Sequence, residues 1–299
     1  MKNYPSQYIH TDLAAEGSSL PDGSGKGTDY SEEDFGFFTV ARLHIKNDEG
    51  AEQIGKPIGR YVTVAFPDRE DLSPDDCEKL TLAVSHEIER LARDMCPKGI
   101  DSVLVAGLGN RNITSDSLGP LCTDSVNVTR HLRDKDGNSI FPAVSAIAPG
   151  VLAQTGIETL ELIRGAAENC RPSLVIVIDA LAARSVDRLA RTVQLSDTGI
   201  SPGSGIGNHR KKISSETIGC PVMAVGVPTV VDSATLVLDA LERAGISEYP
   251  EALIPILEQG SEFFVTLKDS DAAVDELSRM LFDALNLFFF EIGNNSHKS

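Results

Sequence analysis

The chain has 299 residues, 41% of them hydrophobic, with a formal net charge of −17 and a pI of about 4.7. That is enough chain for one large α/β domain or two small ones. The acidic balance argues against direct contact with nucleic acid or an anionic membrane, because the phosphate term would be repulsive.

Residues 1–15 read as a short polar arm containing Ile9-His-Thr-Asp-Leu-Ala14, and the segment shows no apolar run of the signal-peptide kind. Residues 16–34 are rich in Gly, Ser and Asp and read as a flexible linker, leaving 35–299 as a single α/β domain. Residues 37–45 and 60–66 are β-rich and are separated by turn-forming residues from Asn47 on, so a hairpin-like pair is expected. Ser73-Pro74 followed by two aspartates begins a helix, with Leu80, Val84, Ile88 and Leu91 as its apolar stripe.

From residue 103 the chain alternates. Strands are expected at 103–106, 144–147, 174–178, 192–195 and 222–227. Helices are expected at about 117–133, 156–169, 232–244 and 272–292. This predicts an α/β fold: a mostly parallel sheet with helices on both faces, plus the N-terminal hairpin-like extension. The C-terminal Leu287-Phe-Phe-Phe290 is too short an apolar run to span a bilayer. Five scattered cysteines form no CxxC pair, which points to reduced thiols in a cytosolic compartment.

Two aspartates stand out. Val103 to Ala106 is an apolar run without alternation, as for a strand covered on both faces, and Gly107 and Gly109 then allow a sharp turn toward Asp116. Leu174 to Ile178 is a second such run, and Asp179 ends it. Active sites of parallel sheets form beyond the C-terminal strand ends, so both carboxylates are expected at one sheet edge. Two acids facing one water could act as general base and general acid if their surroundings separate their pKa values. The sequence leaves open which is which.

Other motifs dissolve on inspection. Asp197-Thr-Gly199 copies the pepsin-type signature, but that signature needs two copies in an all-β protein, and a turn explains this one. His86-Glu-Ile-Glu-Arg90 has Arg90 where a helical zinc site needs its second His, and reads as a solvated helix face. Gly107-Leu-Gly109 begins like a dinucleotide fingerprint, yet Asn112 replaces the last glycine. Gly203-Ser-Gly-Ile-Gly207-Asn208 reads equally as a long connection or as a backbone surface for a peptide or anion.

Taken in order, several blocks between residues 100 and 235 resemble the germination protease family of endospore-forming bacteria. They are Gly107-Leu-Gly-Asn110, Thr114-Ser-Asp-Ser-Leu-Gly-Pro120, Pro149-Gly-Val-Leu-Ala-Gln-Thr-Gly-Ile-Glu-Thr159, Asp179-Ala-Leu-Ala-Ala-Arg184, Pro202-Gly-Ser-Gly-Ile-Gly-Asn208 and Val225-Gly-Val-Pro-Thr-Val-Val-Asp232. The resemblance implies an endopeptidase that degrades small acid-soluble spore proteins during germination. It implies a zymogen made in the forespore cytoplasm, self-processing, a homotetramer, and a fold related to hydrogenase maturation endopeptidases. It places the essential aspartates on Asp116 and Asp179 and the processing point between Asp12 and Leu13. It calls for no cofactor and no metal. Ser115, Ser117 and Leu267 depart from the residues expected there. The alternatives carried beside it are a metal-dependent maturation peptidase, with His209 as the one candidate ligand near the site, and a non-catalytic nucleotide- or anion-binding module.

Overall fold

The computed structural model describes residues 11–16, 25, 27–132, 141–203, 210–246, 250, 252–260 and 263–296. Among them, nine strands form one sheet: β1 Thr28–Asp34, β2 Thr39–Ile45, β3 Gly59–Ala65, β4 Ser102–Gly107, β5 Ala143–Ile147, β6 Leu174–Ala183, β7 Thr192–Ser196, β8 Val222–Asp232 and β9 Phe264–Val265. Their spatial order is β1-β2-β3-β7-β8-β6-β4-β5, with β9 added to the end of β8.

The expectation of a mostly parallel sheet holds only for its centre. β5, β4, β6 and β8 are mutually parallel, whereas β1, β2, β3, β7 and β9 join antiparallel. The reason lies in the connection after β6. Only residues 184–191 separate it from β7, too few for the crossover of a dozen or more residues that a parallel return requires. The chain doubles back instead, and the sheet is mixed.

Helices cover both faces. The sequence alternates which face each strand residue serves, and both faces are apolar. Val103 and Val105 of β4 pack with α2 (Pro74–Met95), α3 (Leu118–Ser125) and α9 (Ser270–Ser296), through residues such as Leu80, Leu118 and Phe288. Leu104 and Ala106 pack on the other face against Leu160 and Ile163 of α5 (Thr159–Cys170). The α2 start is as expected: Ser73 accepts from the Asp76 N–H and Pro74 occupies the first turn.

Several expectations are corrected. The 16–34 linker contains β1, whose residues pair one for one with β2 from Thr28↔Ile45 to Asp34↔Thr39; residues 17–24 lie outside the described set. The turn after Asn47 is a helix, α1 (Asp48–Ile54), with Asn47 as its N-cap and Gly55 closing it in a left-handed conformation. The helix expected at 117–133 stops at Ser125, and β6 runs past Asp179 to Ala183. Glu87 does not belong to a solvated face. It is buried, and the Arg42 guanidinium donates to both its oxygens, Nε to Oε2 at 3.0 Å and Nη2 to Oε1 at 2.5 Å. No helix among the described residues is long and apolar enough to cross a membrane.

Candidate active site

The first acid is placed by a glycine turn. Beyond β4, Leu108 N–H donates to the Ile178 carbonyl of β6 at 2.8 Å, so the chain leaves the sheet beside the strand that carries the second acid. A Cβ on Gly107 would stand 2.1 Å from the Gly119 carbonyl oxygen, so only glycine lets α3 approach the strand this closely. Gly109 has φ +110°, and a Cβ there would lie 2.0 Å from the Asp116 backbone oxygen. The chain then turns back through a single 3-10 turn, Thr114–Asp116.

That turn is tethered at three points. Thr229 Oγ1 on β8 donates to the Ser115 carbonyl at 2.6 Å, and Thr266 Oγ1 donates to the Thr229 carbonyl at 2.8 Å. Thr114 Oγ1 donates to Asp271 Oδ1 on α9 at 2.6 Å. Asp116 Oδ2 accepts from the Asn110 N–H at 2.7 Å.

The second acid, Asp179, sits in β6 opposite Gly226 of β8. It is only 5% exposed, on the face shared by Val175 and Val177. Its Oδ1 accepts from the Ala180 N–H at 3.0 Å. Both acids line one cleft of about 220 Å³, together with Asp12 and Arg210. The structure therefore brings together the two aspartates that the strand-end argument picked, although Asp179 lies within its strand rather than at its end.

Their surroundings separate them electrostatically. Burial pushes the Asp179 carboxyl well above the usual carboxylate range, and the charges of Asp116 and Asp12 push it further; the Ala180 N–H opposes weakly. Burial also raises Asp116, but the Asn110 N–H and the Arg210 guanidinium favour its ionised form. The arrangement suits one proton held on Asp179 and a negative charge on Asp116.

The arm's end is in the same place. Asp12 lines the cleft, Leu13 is fully buried and Ala14 nearly so. Leu13 packs with Leu181, Ala183, Leu189 and Val231, and Ala14 with Leu43, Ile45, Ile54 and Tyr61. Glu16 accepts from the backbone N–H groups of Arg184 (2.6 Å) and Ser185 (3.1 Å), holding the segment to the end of β6.

Asp197 is elsewhere. Its Oδ1 accepts from the Arg60 N–H at 2.7 Å and its Oδ2 pairs with Arg60 Nη1 at 3.3 Å, a turn anchor outside the cleft lining. Pro202 and Gly203 reach the cleft wall, while Ser204–Asn208 and His209 lie outside the described residues. Among the described residues no group of His, Cys, Asp and Glu is arranged to hold a metal ion.

Sequence reasoning missed Thr229 and Arg210, and also Gln194, whose Nε2 donates to the Asp12 carbonyl at 3.0 Å, and Lys56, whose Nζ donates to the Thr11 carbonyl at 2.8 Å. Gln194 carried a signal, being polar inside the β-rich run 192–195. Thr229 stood within a quoted block without a role. Lys56 and Arg210 carried none, since their use depends on which segments fold beside them.

Comparison with known proteins decides the family. The family model for germination protease matches residues 13–244. The chain belongs to the germination protease family. It is therefore a peptidase, as the acid cleft suggests. The germination protease of Clostridium perfringens is 44% identical over 236 residues, covering 78% of this chain and 70% of that one. That of Clostridium acetobutylicum is 38% identical over 285 residues, covering 93% of this chain and 85% of that one. Among solved structures, the [NiFe] hydrogenase maturation protease HycI of Thermococcus kodakarensis is similar with a TM-score of 0.35 at 15% identity, over 67% of this chain and 98% of that one.

Proposed function

We propose that this germination protease hydrolyses peptide bonds with water activated between Asp116 and Asp179. Asp116, ionised, takes a proton from the water. Asp179, protonated, donates to the carbonyl oxygen as the hydroxyl adds to the carbon; Asp116 then gives the proton it took from water to the amide nitrogen as the C–N bond breaks, and a hydroxyl proton of the tetrahedral carbon returns to Asp179. The observation that carries the reading is the pair itself: one acid on the turn that follows β4 and one on β6, the parallel strand beside it, share one cleft, and burial favours the protonated form of the inner one.

The substrates are the small acid-soluble spore proteins, the place is the spore core, and the working form is a homotetramer. These follow from family membership rather than from geometry. The chain is made as a zymogen and cuts itself between Asp12 and Leu13. Supporting this, Asp12 lies on the wall of the acid cleft and the family match begins at Leu13.

The test is digestion of a purified small acid-soluble spore protein by wild type and three variants. Asp116→Asn and Asp179→Asn are each expected to lower kcat by about 10²–10⁴ with the fold intact, the span of a lost general acid or base. Asp197→Asn is expected to cleave at close to the wild-type rate. Cleavage lost in Asp197→Asn and kept in the other two would overturn the assignment.

A further inference from the structure

Four arginines gather away from the acid cleft. Arg184 follows β6, Arg188 and Arg191 lie in the segment that joins β6 to β7, and Arg243 ends α7 (Ser233–Arg243). All four line one open groove of about 560 Å³, which shares no lining residue with the acid cleft. In a chain of net charge −17, cations drawn this close to one another need a cause. The groove's own acids do not supply it. Glu16 is spent on the Arg184 and Ser185 N–H groups at 2.6 and 3.1 Å, and Asp187 Oδ2 pairs with Arg243 Nη1 at 2.8 Å.

The remaining acidic partners lie outside the groove lining. Asp68 Oδ2 pairs with Arg191 Nη2 at 2.6 Å. Asp239 pairs with Arg243 Nε at 2.8 Å and Arg184 Nε at 3.6 Å, and Glu242 pairs with Arg184 Nη2. These contacts fix the side chains without using all their donors, because a guanidinium donates from every nitrogen. Arg191 keeps Nε and Nη1 without a partner among the described residues. Arg188 is half-buried and has no acidic partner there at all.

A neutral donor stands beside them. Thr192, the first residue of β7, lines the same groove and is fully buried. Its Oγ1 has no hydrogen-bond partner among the described residues. An orphaned buried hydroxyl is costly and calls for a partner. The missing partner is an acceptor, and one that Arg188 and Arg191 can share. A carboxylate presents its oxygens in one plane and matches a single guanidinium fork. Donors arriving from separate residues, with a hydroxyl among them, suit a tetrahedral oxyanion better.

We propose that this groove is a binding site for a phosphate-class oxyanion, free or as a phosphomonoester, held by Arg188 and Arg191 with the Thr192 hydroxyl as a further donor. The site stands apart from the Asp116–Asp179 cleft, so it does not depend on how that cleft works.

The test is equilibrium dialysis of the full chain against radiolabelled inorganic phosphate at fixed ionic strength, with succinate and glycerol phosphate as competitors. Wild type is expected to bind one phosphate per chain. Succinate, a dianion whose carboxylates sit on separate carbons, should compete about tenfold less well than unlabelled phosphate. Arg188→Gln and Arg191→Gln should each weaken binding by about tenfold, the worth of one charge-assisted contact. Arg188→Gln breaks no ion pair among the described residues, and an unchanged Tm without phosphate checks that it folds. Phosphate should raise the wild-type Tm, and the same concentration should raise that of Arg188→Gln less. Arg93→Gln, which removes a surface cation of α2 outside the groove, should bind as wild type does. Glycerol phosphate competing better than phosphate would assign the site to a phosphomonoester, and competing worse would assign it to the free ion; either supports the site. Binding undiminished in both groove variants, equal loss in Arg93→Gln, or succinate competing as well as phosphate would overturn it.

Discussion

Asp179→Asn separates the electrostatic account from the catalytic one, because it predicts a stability change of definite sign. The substitution keeps the shape and leaves an oxygen to accept from Ala180 N–H, as Asp179 Oδ1 does at 3.0 Å. In the unfolded chain the carboxyl titrates near 3.8; in the folded protein burial and the neighbouring Asp116 and Asp12 raise it well above that. Between those two values the folded state binds the proton and the unfolded state does not. Wild-type stability from this group is therefore complete below pH 3.8 and falls as pH rises toward the folded value. The slope is about 1.4 kcal/mol per pH unit while the window lasts. Asparagine does not titrate. Urea unfolding at half-unit steps from pH 4 to 7 should show the variant gaining on wild type along that slope, then running parallel once Asp179 ionises in the fold. The variant should be more stable at neutral pH yet inactive. Parallel curves throughout would refute the claim that Asp179 is held protonated.

Other consequences follow from the same geometry. Gly109→Ala puts a methyl 2.0 Å from the Asp116 carbonyl oxygen at φ +110°; it should lower Tm by several degrees and abolish cleavage, since the turn must move to admit it. Thr229→Val strands the Ser115 carbonyl at a cost of about 1–3 kcal/mol. With the turn bearing Asp116 loosened, kcat should drop more than KM rises in peptide kinetics. Arg42→Ala leaves Glu87, 7% exposed, without its guanidinium. Thermal unfolding should show about 3–5 kcal/mol lost, partly recovered by Glu87→Gln in the same chain.

The two acids were legible because each follows an apolar strand run too uniform for a one-sided strand, and the chain's strand–helix alternation puts such runs in one sheet. The end of β6 was not. Ala180-Leu-Ala-Ala183 continues the strand in small residues, and only pairing with β8 shows that the ladder goes on. β1 was read as linker because Thr-Asp-Tyr-Ser-Glu-Glu-Asp is acidic and has little β propensity. It is an edge strand whose last four residues are exposed, and its partner β2 dictates its conformation. The helix α1 carried both its caps in the sequence, Asn47 and Gly55, but one short amphipathic stretch between two strands looks like a turn. The mixed character of the sheet depended on loop length after β6, a feature the periodicity of individual strands does not record. The docking of Leu13 was invisible for a different reason. Its pocket is assembled from β6, β8 and the segment between β6 and β7, and none of these is near it in the chain.

The most direct measurement of the central claim is the intact mass of the purified wild-type chain over time after mild acidification, with Asp116→Asn beside it. Loss of residues 1–12 in wild type alone is the predicted result, tying cleavage at Asp12–Leu13 to the acid pair. Loss of the same residues at the same rate in both chains would contradict it.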